Sequence, residues 1–262
     1  VAESARNVVC SGAEPLAITN CLNFGNPQDP EVYWQFKEAV LGIGDMCRTL
    51  NTPVTGGNVS FYNETHESAV YPTPVIGMVG LIENPNYITT LEFKNENDLI
   101  VILGSFNVSI GGSSYLKYKY NRTEGPLANF SMNNEEKVQT VCLEAIHKKI
   151  INSAHDISDG GLAVALSESI VSANNNLGAS ITIESKLRED EMLFGECGSV
   201  IIVSLNEKDL YELVLIAKKY DINTQTIGYV SADSTLKINN SININKDVLS
   251  EHYFNTLENI ID

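Results

Sequence analysis

The sequence predicts a mixed α/β protein built in two parts. Short apolar runs that suit strands alternate with longer segments in which apolar residues recur every three or four positions, the period of an amphipathic helix. A polar segment around 94–97 divides the chain into a first part, 1–95, and a second part, 96–262. With 262 residues, 43% of them hydrophobic, the chain can bury a substantial core.

The first part is organised around a long helix predicted at 32–50. Asp29 can cap this helix, and Pro30 is tolerated at its first position. A strand at 17–22 and a polar turn at 23–27 precede the helix, and a glycine-rich turn is expected at 56–60. Two more elements complete this part, namely the end of a helix at 1–10 and a buried strand at 75–82.

The second part is predicted to contain strands and helices in alternation. Asn134 to Glu136 are expected to cap a helix whose apolar face includes Val138, Val141 and Cys142. The other predictions are strands at 99–103, 179–184 and 199–205, a glycine turn with a short helix at 110–116, helices at 162–173, 207–220 and 247–261, a loop at 193–198, an edge strand at 225–230 and a hairpin at 235–244.

Composition excludes several function classes. The net charge of −16 disfavours binding along a nucleic-acid backbone. No apolar run is as long as a membrane span, and no signal peptide is recognisable. Five cysteines without a Cys-x-x-Cys spacing indicate a reducing, cytoplasmic compartment rather than a zinc site. The chain begins inside a helical pattern without methionine, so we expect it to be a piece of a longer protein.

The two polar turns beside the long helix are the first candidate site. Gly56 and Gly57 allow backbone N–H groups to approach an anion, whereas Asn20, Asn58 and Ser60 offer neutral oxygens that suit phosphate or hydrated magnesium. Both turns can reach one cleft. The alternative is two ordinary turns, because glycine, asparagine and serine dominate turns for backbone reasons alone. No Gly-Lys-Ser/Thr follows, so this is not a Walker motif.

A second candidate site lies in the second part. In the turn at 155–161, Asp156 can ligate magnesium, whereas Asp159 can equally cap the following helix. His155 is either a general base or a structural residue. The turn Gly111, Gly112 and Ser113 can hold an anion at a helix start, or can simply end a loop.

Glu196 and Cys197 lie in a glycine-flanked loop of the second part. Glu196 can face a ligand, although a solvated acid is the simpler interpretation. Cys197 stands out among the cysteines because it lies in this predicted loop rather than on an apolar helix face.

Seven motifs, in order along nearly the whole chain, resemble one family. The motifs are NCLNFGNP at 20–27, PEV at 30–32, WQ at 34–35, TPV at 52–54, GNVS at 57–60, YPTPV at 71–75 and HDISDGGL at 155–162. The family that they resemble is phosphoribosylformylglycinamidine synthase of purine biosynthesis, in its small-subunit form.

The resemblance implies a fold made of tandem units. Members of this family contain two aminoimidazole-ribonucleotide-synthetase-like units, each with an α+β domain and an α/β domain. This chain resembles the second unit, with a truncated N-terminal domain at 1–95 and a C-terminal domain at 96–262.

The resemblance also implies an ATP-dependent ligase. The family converts formylglycinamide ribonucleotide, ATP and glutamine-derived ammonia to formylglycinamidine ribonucleotide, ADP and phosphate, with Mg²⁺. The implied partners are the N-terminal half of the same protein, a separate glutaminase subunit and a small accessory subunit. The catalytic histidine is expected in the N-terminal half, so this chain should have no catalytic residue and no activity alone. The alternative is a non-catalytic structural half, a scaffold or auxiliary nucleotide site.

Residue roles follow the matching motif positions. Gly57 corresponds to an ATP-contacting glycine, Asn58 to a magnesium ligand and Ser60 to a substrate contact. Asn20 stands where the family usually has an ATP-contacting aspartate, so that contact should be weakened or changed. A second cleft would be lined by Asp156 and by the turn of Gly111, Gly112 and Ser113. Glu196-Cys197-Gly198 departs from the family's Glu-Ser-Gln pattern, which argues against a ligand role there.

Overall fold

The computed structural model describes residues 1–261 and confirms a mixed α/β architecture. Within these residues the helices are α1 (Ala2–Cys10), α2 (Pro30–Leu50), α3 (Ser114–Tyr120), α4 (Met132–His147), α5 (Gly161–Val171), α6 (Glu189–Phe194), α7 (Leu210–Lys219) and α8 (Lys246–Ile261). The strands are β1 (Glu14–Asn23), β2 (Val54–Ser60), β3 (Thr73–Leu81), β4 (Leu99–Leu103), β5 (Ser153–Asp156), β6 (Gly178–Ile181), β7 (Ile201–Leu205), β8 (Thr224–Ser231), β9 (Thr235–Ile238) and β10 (Ile242–Asn245).

The first part contains a three-stranded sheet in the order β2-β1-β3. Strand β1 is parallel to β2 and antiparallel to β3. Helix α2 connects the two parallel strands and begins as predicted, because Asp29 Oδ1 accepts the N–H of Glu31 at 2.8 Å and Pro30 occupies the first position. The helix ends at Asn51 in the left-handed conformation, with φ of 55°. The parallel pairing therefore places the C-terminal ends of β1 and β2 side by side.

The second part is a seven-stranded sheet between two layers of helices. Its strand order is β10-β9-β6-β8-β4-β7-β5, and within this sheet, as far as the structure describes it, β6–β9 is the parallel pair. Alternate residues of β4 serve the two faces, since Ile100 and Ile102 belong to the core beneath α5, whereas Val101 and Leu103 belong to the core beneath α4. This period-two division explains why β4 reads as a continuous apolar run.

Helix α1 joins the two sheets. It contacts β1 and β3 of the first sheet and also α4 and β5 of the second part. Val9 and Cys10 of α1 are buried in the same core as Val138 and Cys142 of α4. The boundary at 95/96 remains a prediction. Within the described chain, no helix combines the length and hydropathy of a membrane-spanning segment.

One predicted element of the first part is wrong in type. Residues 56–60 form the end of strand β2 rather than a turn, and they pair with β1 from Thr19 to Asn23. The glycines conceal the period of two, because Gly56 and Gly57 carry no side chain that would show which face of the strand is apolar. The glycine-rich segment is therefore extended.

The environments of three further elements were also mispredicted. Strand β3 is not buried, since Val75 and Val79 expose 53% and 65% of their surface on a sheet face that no described element covers. Strand β8 is an interior strand rather than an edge, because β6 pairs with its second side. The predicted loop at 193–198 begins inside helix α6.

Candidate functional site

A cavity of about 470 Å³ lies between helix α2 and the parallel strands β1 and β2. We call it the β1–β2 cleft. Its lining residues are Asn20, Leu22, Phe36, Val40, Ile43, Gly44, Val54, Gly56, Gly57, Asn58 and Val59. Three of the four predicted site residues of the first part, Asn20, Gly57 and Asn58, therefore meet at one cavity.

Asn20 and Gly57 occupy opposed positions on the paired strands. They are register partners, and a Cβ atom at Gly57 would overlap both the side-chain and the backbone oxygen of Asn20. Only glycine permits the two strands to approach so closely at this point. Because Gly57 has no side chain, the backbone of β2 is accessible beside the Asn20 amide. Thr19 Oγ1 donates to the Gly56 carbonyl at 3.1 Å and Thr55 Oγ1 to the Ile18 carbonyl at 3.1 Å, so hydroxyls on both strands fix the pairing.

Asn58 is the predicted magnesium ligand, and its role stays a prediction. It is paired with Cys21, one position after Asn20, and lies in the lining of the same cleft as Asn20 and Gly57. Residues 1–261 also contain no group of three or more histidine, cysteine or acidic side chains able to hold a metal ion. Asn58 can supply one neutral oxygen to a cation.

Ser60 lies at the end of β2, outside the lining of the β1–β2 cleft. Its hydroxyl donates to Asn63 Oδ1 at 3.1 Å, and the Asn63 amide donates to the carbonyls of Ser60 and Phe24 at 2.9 and 3.0 Å. Asn63, which the sequence did not single out, therefore ties together the ends of both strands. Phe36 of α2 packs edge-to-face on Phe24 with ring centroids 5.3 Å apart.

The β1–β2 cleft has no charged lining residue. Its walls are apolar side chains, and its polar groups are amides and glycine backbone. Such a site suits a flat apolar ring with a few directed hydrogen bonds. It cannot neutralise a polyphosphate by itself, because no lysine or arginine in the lining faces it.

A second cavity of about 450 Å³ lies between α1 and the second part. We call it the second cleft. Its lining residues are Val1, Ala2, Glu3, Arg6, Gly111, Gly112, Leu127, Ala128, Phe130, Ser158, Asp159, Glu196, Cys197 and Gly198. The predicted Gly111 and Gly112 therefore face it, whereas Ser113 and Asp156 are buried behind the wall.

Ser113 acts as the cap of α3. Its Oγ accepts the N–H of Leu116 at 3.1 Å and donates to the Ile110 carbonyl at 2.7 Å. The Ser113 hydroxyl therefore makes both of these hydrogen bonds within the turn. This agrees with the simpler interpretation, in which Gly111-Gly112-Ser113 ends a loop.

Glu196 is a structural residue rather than a solvated acid. Its Oε1 accepts the N–H of Ser114 at 2.7 Å and that of Gly160 at 2.9 Å. Its backbone exchanges two hydrogen bonds with Ser109, of 2.8 and 3.0 Å. One carboxylate therefore joins the turn before α3 to the turn before α5 and satisfies backbone donors in both.

A buried charge network lies behind the second cleft. Arg6 of α1 donates from Nη1 to Glu135 Oε2 at 2.7 Å, and both side chains are almost completely buried. Ser199 and Gln139 also donate to Glu135, each at 2.6 Å. Arg6 Nε and Asp156 Oδ2 lie 3.8 Å apart, and neither has a hydrogen-bond partner. The network attaches α1 to the second part.

Glu135 corrects a prediction, because it is fully buried and does not cap α4. The N-cap is Ser131, whose Oγ accepts the N–H of Asn134 at 3.4 Å. The sequence did contain a signal, since Glu135 and Gln139 fall four residues apart on the face that carries Val138 and Cys142. Arg6 likewise lies among the apolar residues of α1, a position that indicates a buried side chain.

Three titratable groups near the second cleft have shifted pKa values. Burial lowers the pKa of His155, but its hydrogen bonds to Asp156 and Glu168 prevail and raise the pKa to about 9, so the imidazole is protonated and is no general base. Burial, then the charges of Glu196 and Asp156, raise the pKa of Asp159. Burial raises the pKa of Cys197 to about 12, which excludes a thiolate nucleophile.

Comparison with known families covers both parts of the chain. The profile described as AIR synthase related protein, N-terminal domain, matches residues 1–82. The profile described as AIR synthase related protein, C-terminal domain, matches residues 95–239.

Curated relatives are named phosphoribosylformylglycinamidine synthase subunit PurL. The protein of Thermoanaerobacter pseudethanolicus is 43% identical over 256 residues, which are 97% of this chain and 35% of that protein. The protein of Chlorobaculum tepidum is 45% identical over 244 residues, which are 89% of this chain and 32% of that protein. The chain thus spans about a third of the length of these relatives.

Solved structures share the fold at low sequence identity. Thermotoga maritima PurL complexed with FGAR superposes with a TM-score of 0.74 at 17% identity, covering 95% of this chain and 42% of that one. The same protein complexed with ATP gives 0.72 at 17% identity, covering 95% and 40%. The HypE–HypF complex gives 0.64 at 16% identity, covering 91% and 80%. At these identities the likeness concerns the fold alone.

Proposed function

This chain belongs to the AIR synthase related protein family, and from that premise we propose that it is the C-terminal portion of a phosphoribosylformylglycinamidine synthase. The observation that carries the proposal is the meeting of Asn20 and Gly57 at one uncharged cavity, in a chain 43% identical to PurL over nearly its whole length. The chain contributes part of an ATP site and of a formylglycinamide ribonucleotide site to a cytoplasmic ligase.

The proposed reaction has two steps, and ATP is consumed in the first. The γ-phosphoryl group of ATP passes to the amide oxygen of formylglycinamide ribonucleotide, and ammonia released from glutamine then displaces phosphate. The products are formylglycinamidine ribonucleotide, ADP and phosphate. A separate glutaminase subunit would supply the ammonia, and a small accessory subunit would be a further partner.

Each predicted residue has a definite task in this proposal. The Gly57 backbone and the Asn20 amide hydrogen-bond the nucleotide, and the apolar wall of the β1–β2 cleft excludes water from it. Ser60 meets the ribonucleotide substrate from the end of β2. Asn58 offers one oxygen to Mg²⁺, which would neutralise phosphate charge with carboxylates from outside this chain.

The N-terminal half of the longer polypeptide is required for catalysis. The lining of the β1–β2 cleft has no charged residue, and the carboxylates beside His155 raise its pKa to about 9, which favours the protonated form at neutral pH. We expect no ATP-dependent product from the isolated chain supplied with ammonia. Measurable turnover by the isolated chain would contradict this part of the proposal.

The nucleotide role is tested by thermal unfolding of the chain with and without Mg²⁺-ATP. At a nucleotide concentration near 100 Kd we expect a rise in Tm of about 5 °C. Gly57→Ala should abolish the rise, because its Cβ would displace the Asn20 oxygens. Gly42→Ala, at a position on α2 with open space around it, is the matched control and should keep the rise.

A non-catalytic scaffold is the second candidate function. Two observations favour it. The lining of the β1–β2 cleft contains no charged residue, and the chain covers only 35% of the length of its relative. A melting temperature that does not respond to Mg²⁺-ATP, both in this chain and in the full-length protein, would support the scaffold over the nucleotide site.

A further inference from the structure

The loop that follows strand β2 is held by one amide side chain, that of Asn63. Its Nδ2 group donates to the carbonyl oxygens of Phe24 and Ser60 at 3.0 and 2.9 Å. The backbone N–H of Asn63 also donates to the Phe24 carbonyl at 3.2 Å, and that of Phe24 to the Ser60 carbonyl at 3.0 Å. Each of these two carbonyls therefore accepts two hydrogen bonds, and the ends of β1 and β2 are fixed to one another.

The two carbonyls determine which way the Asn63 amide faces. A carbonyl oxygen only accepts hydrogen bonds, so the group that lies against Phe24 and Ser60 must be the amide NH₂. The opposite orientation would place the amide oxygen against two carbonyl oxygens, where no hydrogen bond can form. Oδ1 of Asn63 consequently faces the Ser60 hydroxyl, 3.1 Å away.

The amide orientation in turn determines the direction of the Ser60 hydroxyl. An amide oxygen has no proton to give, so Ser60 Oγ is the donor in this hydrogen bond. A serine hydroxyl has one proton and two acceptor lone pairs. Asn63 takes the proton, and the lone pairs have no partner among the described residues. Ser60 can therefore accept a hydrogen bond from a ligand, but it cannot donate one without losing Asn63.

We propose that Asn63 is a positioning residue that makes Ser60 a hydrogen-bond acceptor for a donor group of the ribonucleotide substrate. This assignment rests on the proposed function, in which Ser60 meets formylglycinamide ribonucleotide. That substrate has donors of two kinds, the ribose O–H groups and the amide N–H groups, whereas its ionised phosphate has acceptor oxygens. A phosphate would have to compete with Asn63 for the single hydroxyl proton. Ser60 therefore selects the ribose or an amide, and not the phosphate.

Steady-state kinetics of the full-length protein, with ammonia as the nitrogen donor, test the role of Asn63. Ser60→Ala removes one hydrogen bond and should raise the KM for formylglycinamide ribonucleotide about tenfold, with the KM for ATP unchanged. Asn63→Ala frees the hydroxyl to rotate and should raise the same KM about threefold. It should have no effect on this KM when Ser60 is already alanine, because it acts through Ser60. An equal rise in both backgrounds would indicate a merely structural role and would overturn the proposal.

Asn175→Ala is the matched control for the loss of an amide side chain. Asn175 Nδ2 donates to the Phe93 carbonyl at 3.1 Å, and its Oδ1 accepts the N–H of Leu177 at 3.0 Å, in the second part of the chain. Its replacement should lower the Tm, as Asn63→Ala does, but should leave the KM for both substrates at the wild-type value. The pair of variants thus separates a loss of stability from a loss of positioning.

Substrate analogues test the polarity of Ser60 without any change at Asn63. Inhibition constants are measured for analogues that lack one donor, namely the 2′-deoxy, 3′-deoxy and N-methyl amide compounds, which distinguish the ribose from the amides. One of them should bind the wild type about tenfold more weakly than the parent compound does, but should bind Ser60→Ala as well as the parent does. An analogue without the 5′-phosphate should lose the same factor in both proteins. Coupling of Ser60 to the phosphate alone, or to none of the analogues, overturns the proposal.

Wild-type activity distinguishes a failure at Ser60 from a failure of the proposed function. Turnover by the full-length protein with a ribonucleotide KM that Ser60→Ala leaves unchanged overturns the role of Ser60 and Asn63 alone. A wild-type protein that forms no formylglycinamidine ribonucleotide overturns the proposed function and this role together.

Discussion

The two clefts of this chain are built from opposite kinds of residue. The β1–β2 cleft is lined by apolar side chains, amides and glycines without a single charge, whereas the second cleft contains Arg6, Asp159 and Glu196. In the first, the Asn20 amide and the backbone at Gly57 face the cavity. In the second, Arg6 and Glu196 are bonded to other groups of the protein.

The comparison shows that a glycine-rich segment can have either of two roles, ligand binding or stabilisation of the fold. Polar groups that are left open can bind a ligand, whereas polar groups that satisfy one another contribute to stability and rigidity. Replacing the Asn20 side chain in the first cleft should therefore alter nucleotide binding more than it alters folding. Changes around the second cleft should mainly lower the free energy of unfolding.

The largest expected effect is at Arg6. Replacement by methionine leaves Glu135 and Asp156 buried without their cation, and breaking a buried ion pair in this way costs about 3–5 kcal/mol of unfolding free energy. Urea unfolding followed by circular dichroism measures the loss.

Arg48 provides the matched control for Arg6. It pairs with Asp45 on the exposed surface of α2, with side chains 72% and 51% exposed, so Arg48→Met should cost less than about 1 kcal/mol. Equal losses at Arg6 and Arg48 would mean that the buried network does not hold the second cleft together.

The same comparison shows what the sequence can predict. The long helix α2, its Asp29 cap and the hairpin near Asn239 follow from local patterns, and they were predicted correctly. The pairing of Arg6 with Glu135 joins residues 129 positions apart, and no periodicity reports such a contact. Only the positions of both residues on apolar helix faces indicated that they are buried.

The partial success at the β1–β2 cleft has a physical cause. The motif placed Asn20, Gly57 and Asn58 close together, because the two parallel strands that helix α2 connects pair side by side. The motif could not give the direction of the Asn58 side chain, since two glycines hide the pleat of β2. The role of Glu196 was missed because both of its side-chain contacts are with backbone N–H groups.

The next largest effect concerns His155 and pH. Its pKa of about 9 in the folded chain exceeds the ordinary value of 6.5, so folding favours the protonated form. The contribution is complete below pH 6.5 and disappears as the pH rises through about 9, with an upper bound of about 3 kcal/mol. Unfolding free energies between pH 6 and 10 should fall more steeply for the wild type than for His155→Asn. Identical profiles would refute this.

The smallest of the three effects is at Glu196. Glu196→Ala leaves the N–H groups of Ser114 and Gly160 without their acceptor, which should cost about 2 kcal/mol, and Glu196→Gln, which retains an oxygen, about half as much. The rate of amide hydrogen exchange should increase at Ser114 and Gly160, and this increase should be the most sensitive sign of the change. Glu67→Ala, in an exposed loop, is the control. Unchanged exchange at both amides would show that the second cleft does not depend on this carboxylate, and the contrast between the two clefts would then rest on Arg6 alone.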